Sequence, residues 1–313
     1  MKDISKVRWF HSIELESGVI TPGIVPFEHL NRMADDLNLP DDMSGVTVLD
    51  IGSRDGFFSF QAERRGADVI AVDIQAIDEI GFGIARDILN SKAKFIQANI
   101  YDLTLEKIGG RQVDVIFFLG LFYHLRHPLF ALDIIWNLLK PGGTLYLETA
   151  YLDEYFLIRD DLVTSLKSIH PSLCDTAILQ YYRNDELNPG DYSNWFSPNR
   201  KALEDILLSA GFEPQLLNKW ESRILYKAEK LPGYPEYMLS EHGIDARLAR
   251  WRNNDSIELE KRKVQRQYRS MSYEVHSEAG FLIKELKRSR IYKLLRYLGF
   301  WRSIGNKIDG YSD

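Results

Sequence analysis

The chain has 313 residues, of which 45% are hydrophobic and 27% are charged, and its formal net charge is −6. This length allows one large domain or one domain with appendages, and the composition is that of a soluble globular protein. An acidic chain of this kind carries no overall signature of nucleic-acid binding.

Cysteine usage and hydropathy narrow the class of protein further. The one cysteine, Cys174, excludes an intramolecular disulfide framework and a multi-cysteine zinc site. The N-terminal residues have no apolar core of a secretory signal, and no apolar run reaches the roughly 18 residues of a membrane-spanning helix. We therefore expect a cytoplasmic protein, and no metal site is predicted.

Residues 1–45 precede the first predicted strand and are predicted to form an N-terminal cap. Apolar spacing from Phe27 to Leu39 predicts a helix that Pro40 ends. His11 lies upstream, in an aromatic stretch that either clamps over a ligand or pads the edge of the sheet. A lone imidazole can be a general base or a structural polar group, and the sequence leaves both open.

A buried strand over 46–51 leads into a glycine turn and a helix. Asp50 stands near the strand end, and Gly52 and Gly56 bracket the turn. This Asp-x-Gly-x-x-x-Gly pattern is neither the dinucleotide fingerprint nor a phosphate-binding P-loop. An acid at this place suits a ligand that carries a cation and no phosphate, such as S-adenosylmethionine (SAM). Alternatively, the segment is an ordinary strand-turn-helix with glycines for packing.

The next strand, over 68–73, strengthens the nucleoside hypothesis. It ends in Asp73, which follows Gly52 by 21 residues. An acid about 20 residues after the first glycine is placed to accept hydrogen bonds from ribose hydroxyl groups. Further on, Asn99 and Ile100 either pinch a purine ring or form a plain turn at a strand end.

Strands and helices continue to alternate along the chain. Three more strands are predicted over 93–99, 113–120 and 144–149, with helices over 80–89 and 129–139. This alternation predicts an α/β fold with a doubly wound, mostly parallel sheet. Two strand-like runs, 215–220 and 223–228, are predicted to complete the sheet as a hairpin, with an antiparallel last strand.

Two other regions depart from the alternation. Residues 151–198 form an aromatic-rich insertion, including Trp195, that either covers the ligand or forms a satellite core. Residues 231–313 are predicted to be a helical basic extension, and an apolar stripe with basic neighbours spans 281–304. Such a helix can contact an anionic membrane surface, at the inner face, or a polyanion such as RNA; alternatively it packs on its own domain or a dimer mate.

The motifs together resemble class I SAM-dependent methyltransferases, which have a Rossmann-like sheet. The resemblance rests on four motifs: Val48-Leu49-Asp50-Ile51-Gly52, the Tyr123-His124-x-x-x-Pro128-Leu129 segment, Leu145-Tyr146-Leu147-Glu148-Thr149, and Phe196-Ser197-Pro198 ahead of a helix that ends near Gly211. Within that superfamily the chain is similar to the tRNA wobble-uridine carboxymethyltransferase group. Its N-terminal aromatic block and basic tail also resemble a bacterial branch of methyltransferases linked to glycan or secondary biosynthesis.

The resemblance implies a set of SAM-binding residues. Asp50, Gly52 and Gly56 would hold the methionine portion, Asp73 the ribose, and Asn99 with Ile100 the adenine, while Gly120 would lie beneath the cofactor. Neighbouring residues complete the implied set: Ser53, Arg54, Asp55, Ile74 and Leu119.

The resemblance also bears on the transferred group. The tRNA enzymes bind the extra carboxylate of carboxy-SAM with a tyrosine, an arginine and an N-terminal lysine. Tyr123 resembles the tyrosine and Arg223 the arginine, but the lysine has no counterpart. Arg54 also replaces the usual middle glycine of the loop. Both departures favour SAM over carboxy-SAM.

The expected chemistry is displacement at the SAM methyl group, in which the protein mainly aligns nucleophile, methyl and sulfur. His124, His11 and Tyr123 are the catalytic candidates, and Glu148 is a further candidate base. The expected substrate contacts are Tyr123, Glu148, Trp195 and Arg223. We expect O-methylation of a sugar, glycan or small metabolite. One alternative is a tRNA-modifying (carboxy)methyltransferase, and another is a non-catalytic nucleoside-binding scaffold at a membrane.

Overall fold

The computed structural model describes residue 4 and residues 7–15, 18–159, 162–183, 185–188 and 190–232. The chain divides into two compact units, residues 1–235 and 236–313. The predicted apolar stripe with basic neighbours, over 281–304, lies outside the described residues, as does nearly all of the predicted helical extension.

Eleven strands are found in the described residues of the first unit. They are β1 Thr47–Ile51, β2 Asp68–Asp73, β3 Lys94–Gln97, β4 Val113–Leu119, β5 Leu139–Ala150, β6 Phe156–Arg159, β7 Leu162–Thr164, β8 Leu179–Tyr181, β9 Phe196–Pro198, β10 Phe212–Trp220 and β11 Arg223–Lys230. The α-helices are α1 Phe27–Asp36, α2 Phe57–Arg64, α3 Phe82–Ile88, α4 Pro128–Leu138, α5 Leu166–Ile169 and α6 Arg200–Ser209. Short 3₁₀ helices cover Ile100–Asp102, Phe122–His124 and Pro171–Cys174.

Seven strands form one sheet in the order β10-β11-β5-β4-β1-β2-β3. The five strands β1 to β5 pair in parallel, whereas β11 is antiparallel to β5 and to β10. This confirms the predicted α/β fold with a mostly parallel sheet and an antiparallel last strand. The strand order reverses between β1 and β4, and open α/β sheets bind ligands in the crevice at such a switch point.

The N-terminal segment shares the hydrophobic core of the sheet. Trp9 and Ile13 are buried in one apolar cluster with Leu30 of α1, Val48 of β1 and Phe57 of α2. Burying apolar side chains stabilises the fold by about 25 cal/mol per Å² removed from water. Trp9 is 1% exposed, so the N-terminal segment contributes fully to the packing of this unit.

The largest difference from the predicted element boundaries lies at the start of β5. Helix α4 passes directly into β5 at Leu139, where the sequence predicted a break before Thr144; the pairing of β4 with β5 shifts register at this point. The segment Pro141-Gly142-Gly143 therefore lies within β5, where the pairing with β4 is irregular. Strand β9 ends at Pro198, and Asn199 caps α6 by accepting a hydrogen bond from the Ala202 amide at 2.9 Å.

The aromatic-rich insertion contains two small antiparallel sheets. One joins β6 to β7 and the other joins β8 to β9. The Leu152 amide donates to the Pro198 carbonyl at 3.0 Å, which closes the base of the insertion. The insertion begins where β5 ends, and therefore at the carboxyl edge of the sheet.

Candidate active site

The glycine loop after β1 has the backbone conformation that its glycines allow. Gly52 and Gly56 have φ values of 80° and 92°, and Arg54 has a φ of 49°. A side chain at Gly56 would place its Cβ 2.6 Å from the Phe82 ring. The amides of Gly52 and Ser53 donate to the Val72 carbonyl at 2.8 and 3.1 Å, so the loop is tied to β2. The loop is thereby held at the switch point.

Asp50 connects β1 to helix α2. Its carboxylate accepts a hydrogen bond from the Ser59 hydroxyl at 2.6 Å, and the residue is 3% exposed. Burial raises the pKa of Asp50 to about 7, although the Ser59 hydrogen bond opposes this shift. The side chain thus joins the end of β1 to α2.

The end of β2 presents an acid beside an exposed apolar side chain. The two oxygens of Asp73 accept hydrogen bonds from the Arg54 and Gln75 amides, both at 2.9 Å. Ile74 is 63% exposed, which is unusual for isoleucine at a strand end. Asn99 accepts from the Tyr101 amide at 3.1 Å, and Ile100 is buried. An acid with an adjacent exposed aliphatic group suits a ribose and the edge of a purine.

Asp55 anchors the N-terminal segment. One oxygen accepts from the Phe10 and His11 amides at 2.6 and 2.8 Å, and the other accepts from the Gly81 amide at 2.7 Å. Arg54 lies over the Phe10 ring, with 5.1 Å from the guanidinium carbon to the ring centroid. The carboxylate of Asp55 is therefore directed at backbone amides, and Arg54 faces the N-terminal segment.

His11 is buried among aromatic rings. It is 8% exposed, its ring packs edge-on against Phe57 and Phe58, and its Nδ1 atom has no hydrogen-bond partner in the described residues. Burial lowers the pKa of His11 to about 4, although Asp55 opposes this shift. Such an imidazole is neutral at pH 7 and a weak base.

The buried His11 predicts a pH dependence of stability. An unfolded histidine with an ordinary pKa near 6.5 binds a proton that folded His11 does not bind between pH 4 and 6.5. Stability is therefore lost as the pH falls through this window, by about 3 kcal/mol in total. The variant His11→Phe should lack this loss.

Urea unfolding at pH 4, 5 and 6.5 measures the free-energy difference between wild type and variant. Asp50 acts in the opposite direction over the same range, but equally in both proteins. His29→Phe, on α1, is the matched control and should keep the wild-type pH dependence. A constant difference between wild type and His11→Phe at all three pH values would contradict the prediction.

A second cluster lies across the crevice, after β4. Arg223 of β11 makes two parallel hydrogen bonds to Glu148 of β5, Nε to Oε1 at 2.5 Å and Nη2 to Oε2 at 2.6 Å. The guanidinium carbon lies 4.6 Å from the centroid of the Tyr123 ring. A Cβ on Gly120 would be 3.7 Å from both members of the ion pair. Burial raises the pKa of Tyr123, although Arg223 opposes this, so the phenol stays neutral at pH 7.

His124 lies beside Tyr123, with 4.2 Å between ring centroids. Its Nδ1 atom is 2.8 Å from the Ser193 hydroxyl oxygen and 4.0 Å from Oδ2 of Asp191. Burial lowers the pKa of His124, although Asp191 opposes the shift, so the imidazole is neutral at pH 7. The backbone amide of Trp195 donates to the Tyr123 carbonyl at 2.9 Å, which ties the insertion to this cluster.

Comparison with known proteins assigns the chain to a family. A model described as a methyltransferase domain matches residues 26–217, which is more than half of the chain. The chain belongs to this methyltransferase family. The family assignment supports the predicted enzyme over the alternative of a non-catalytic scaffold.

Two curated relatives are tRNA U34 carboxymethyltransferases. The protein of Azotobacter vinelandii is 28% identical over 176 residues, covering 55% of this chain and 46% of the relative. The protein of Klebsiella pneumoniae is 30% identical over 137 residues, covering 41% of this chain and 39% of the relative. The chain thus matches less than half the length of these relatives.

A solved structure with a similar fold is the N-terminal domain of EvdMO1, determined in the presence of SAH and D-fucose. It is 16% identical, covers 71% of this chain and 91% of that chain, and has a TM-score of 0.50. This likeness supports the methyltransferase fold.

The predicted site residues of this methyltransferase fall into two groups at the carboxyl edge of the sheet. In the first group, the glycine loop follows β1, Asp73 ends β2 with Ile74 next to it, and Asn99 comes shortly after β3. The second group lies around the ends of β4 and β5 and the start of β11, and its members are Gly120, Tyr123, His124, Glu148 and Arg223. Leu119 is the last residue of β4, and Trp195 packs its ring against the guanidinium of Arg126 at 4.6 Å. His11 and Asp55 instead lie where the N-terminal segment docks on the loop.

The sequence analysis missed three residues that contact the predicted site residues. Ser59 binds Asp50, and Ser193 and Asp191 contact His124. The carboxylate of Glu148, a candidate base, is occupied by Arg223. In the described residues, no group of three or more metal-binding side chains is found. Nor does any helix of that part combine the length and apolarity needed to cross a membrane.

Proposed function

We propose that the protein transfers the methyl group of SAM to a hydroxyl group of a sugar, glycan or other small metabolite. Membership of the methyltransferase family supports the reaction class. The acid at the end of β2 with the exposed Ile74 supports the nucleoside site. Around it, the Gly52 to Gly56 turn, including Ser53, is proposed to hold the methionine portion.

The proposal that SAM is the donor rests on the ion pair between Arg223 and Glu148. An arginine that recognises a carboxylate does so with two parallel N–H groups. In this chain Glu148 already accepts from Nε and Nη2, and its side chain is 3% exposed. A second carboxylate could reach only the remaining N–H groups of the guanidinium, on Nη1 and Nη2, where it would lie close to the buried negative charge of Glu148, and like charges in one site repel each other. This arrangement favours SAM over carboxy-SAM.

The proposed reaction needs a base for the acceptor hydroxyl. SAM supplies an electrophilic methyl group on a sulfonium that leaves as SAH. His124 is neutral at pH 7 and lies next to Tyr123, so it is placed to take the hydroxyl proton as the oxygen–methyl bond forms. His11, with a pKa of about 4, is a much weaker base. Tyr123 and the Arg223–Glu148 pair would orient the acceptor.

Asp73→Ala should weaken SAH binding by about 10- to 100-fold, because two hydrogen bonds from ribose to a carboxylate are lost. Isothermal titration with SAH measures the change. Asp68→Ala is the matched control, since Asp68 begins the same strand and is exposed; it should bind SAH like wild type. Asp73→Asn keeps the shape and separates ribose recognition from loop disruption. Unchanged binding by Asp73→Ala would refute the proposed nucleoside site.

A tRNA-modifying enzyme is the second candidate function. The names of the sequence relatives and the contact of Tyr123 with Arg223 favour it. Transfer of radiolabelled methyl from SAM to a monosaccharide panel and to unmodified tRNA distinguishes the two functions. Filter binding of tRNA between 50 and 200 mM salt adds a test, because phosphate contacts weaken steeply with salt. Methylated tRNA with salt-sensitive binding would replace our proposal; methylated sugar would support it.

A further inference from the structure

We propose that Asp191 and Ser193 hold His124 in one neutral tautomer, with the proton on Nδ1 and the lone pair on Nε2. Both residues are positioning residues that act through His124, and they belong to the segment 190–195, which precedes β9. The catalytic consequence rests on the proposed function, whereas the tautomer itself does not.

The direction of the hydrogen bonds fixes the tautomer. The Ser193 hydroxyl lies 2.6 Å from Oδ1 of Asp191, and a carboxylate can only accept, so the hydroxyl donates to Asp191. The hydroxyl has one proton. Its contact with His124 at 2.8 Å must therefore be a hydrogen bond donated by Nδ1–H.

The backbone gives a second, independent indication. The Ser193 carbonyl oxygen lies 3.3 Å from the same Nδ1 atom, and a carbonyl oxygen can only accept. Both neighbours thus require a proton on Nδ1. A neutral imidazole with this proton has its lone pair on Nε2, which is the form a general base needs. Within the described residues, no hydrogen bond to Nε2 is found.

The segment 190–195 is itself held firmly. The Nδ2 group of Asn194 donates to the Asp191 carbonyl at 2.7 Å, and Asn194 is 1% exposed. The Ser193 amide donates to Oδ1 of Asp191 at 3.0 Å. The Trp195 amide donates to the Tyr123 carbonyl at 2.9 Å, so the segment is joined to the residue before His124. These bonds keep Ser193 opposite the imidazole.

The charges around His124 suit a base that becomes protonated only during reaction. Arg223 and Arg54 disfavour the imidazolium, and Asp191 favours it. Burial and the arginines keep the resting imidazole neutral, while Asp191, 4.0 Å from Nδ1, stabilises the positive charge that appears when Nε2 takes a proton. In the transfer, the acceptor oxygen forms a bond to the methyl carbon, the carbon–sulfur bond breaks, and the hydroxyl proton moves to Nε2. This arrangement therefore suits an acceptor that loses a hydroxyl proton during methyl transfer.

Long-range ¹H–¹⁵N NMR on the histidine-labelled full chain tests the tautomer without any donor or acceptor. His124→Gln assigns the resonances. We expect wild-type His124 to be protonated at Nδ1 near pH 7, and Ser193→Ala and Asp191→Asn to shift the population toward the Nε2–H form. Ser193→Thr should restore the wild-type pattern. Ser172→Ala is the matched control, because Ser172 contacts Nδ1 of His170 at 2.8 Å; it should leave His124 unchanged.

A pH titration of the same spectra gives a second readout. Asp191→Asn should lower the titration midpoint of His124, because the carboxylate that favours the imidazolium is gone. Wild-type His124 protonated at Nε2, or a tautomer that neither Ser193→Ala nor Asp191→Asn alters, would overturn the proposal. Failure of SAH binding or methyl transfer would refute the proposed function and leave the NMR result standing, so the two failures are distinguishable.

Discussion

Asp55→Ala is expected to destabilise the folded protein by about 3 kcal/mol or more, because three amides, two of them buried, lose their acceptor at once. The carboxylate of Asp55 accepts hydrogen bonds from the amides of Phe10, His11 and Gly81, and the residue is 1% exposed. Each buried donor left without a partner costs about 1–3 kcal/mol. Urea unfolding measures the loss. Asp42→Ala is the control: exposed Asp42 accepts from the Ser44 amide and its removal should have a small effect.

Asp55→Ala should also release the N-terminal segment from the glycine loop. Hydrogen exchange of the Phe10 and His11 amides should then accelerate far more than exchange in β2, which is anchored by its own strand pairing. Equal acceleration in both places would indicate global destabilisation only. Stability and exchange like those of wild type would show that Asp55 is free to bind a ligand, as the sequence analysis predicted.

The sheet could be predicted from the sequence because its signals are local. Strand β2 was predicted with its observed bounds, and the hairpin of β10 and β11 was predicted with somewhat shorter strands. The apolar runs and the glycine-to-acid spacing from Gly52 to Asp73 depend on residues close in the chain. The start of β5 was not predicted, because its Pro-Gly-Gly segment is an ordinary stop signal that pairing with β4 overrides.

The tertiary roles of polar residues could not be predicted in the same way. Asp55 binds backbone amides 44 and 45 residues away. Every residue except proline has a backbone N–H group, so the sequence does not indicate which amides a carboxylate binds. Ser193 contacts His124 across 69 residues, from a segment that resembles a surface turn. Glu148 and Arg223 were both singled out, but as separate substrate contacts. Their pairing follows from the antiparallel register of β5 and β11, which places Arg223 opposite Ala150.

Glu148→Gln is expected to shift donor preference toward carboxy-SAM by about tenfold or more. Glutamine keeps the shape and one acceptor oxygen of Glu148 but removes the negative charge, so Arg223 regains an unneutralised guanidinium beside Tyr123. A charge-assisted hydrogen bond from this group to a carboxylate contributes about 1.5–3 kcal/mol, which corresponds to tenfold or more in affinity. Native mass spectrometry with equimolar SAM and carboxy-SAM measures the ratio of bound donors.

Wild type should bind mainly SAM in this competition, and the double variant Glu148→Gln/Arg223→Gln should lose the gain of the single variant. This control matters because removing one partner of a buried ion pair also costs about 3–5 kcal/mol of stability. If Glu148→Gln only loosened the site, the binding of SAM and of carboxy-SAM would weaken in both the single and the double variant. If the unpaired Arg223 is responsible, the ratio of bound carboxy-SAM to bound SAM rises only in the single variant, which keeps the arginine. A wild-type preference for carboxy-SAM would mean that Arg223 binds the donor carboxylate although Glu148 already neutralises its charge. The ion pair would then be a resting state of a carboxymethyltransferase, and tRNA would become the first acceptor to test.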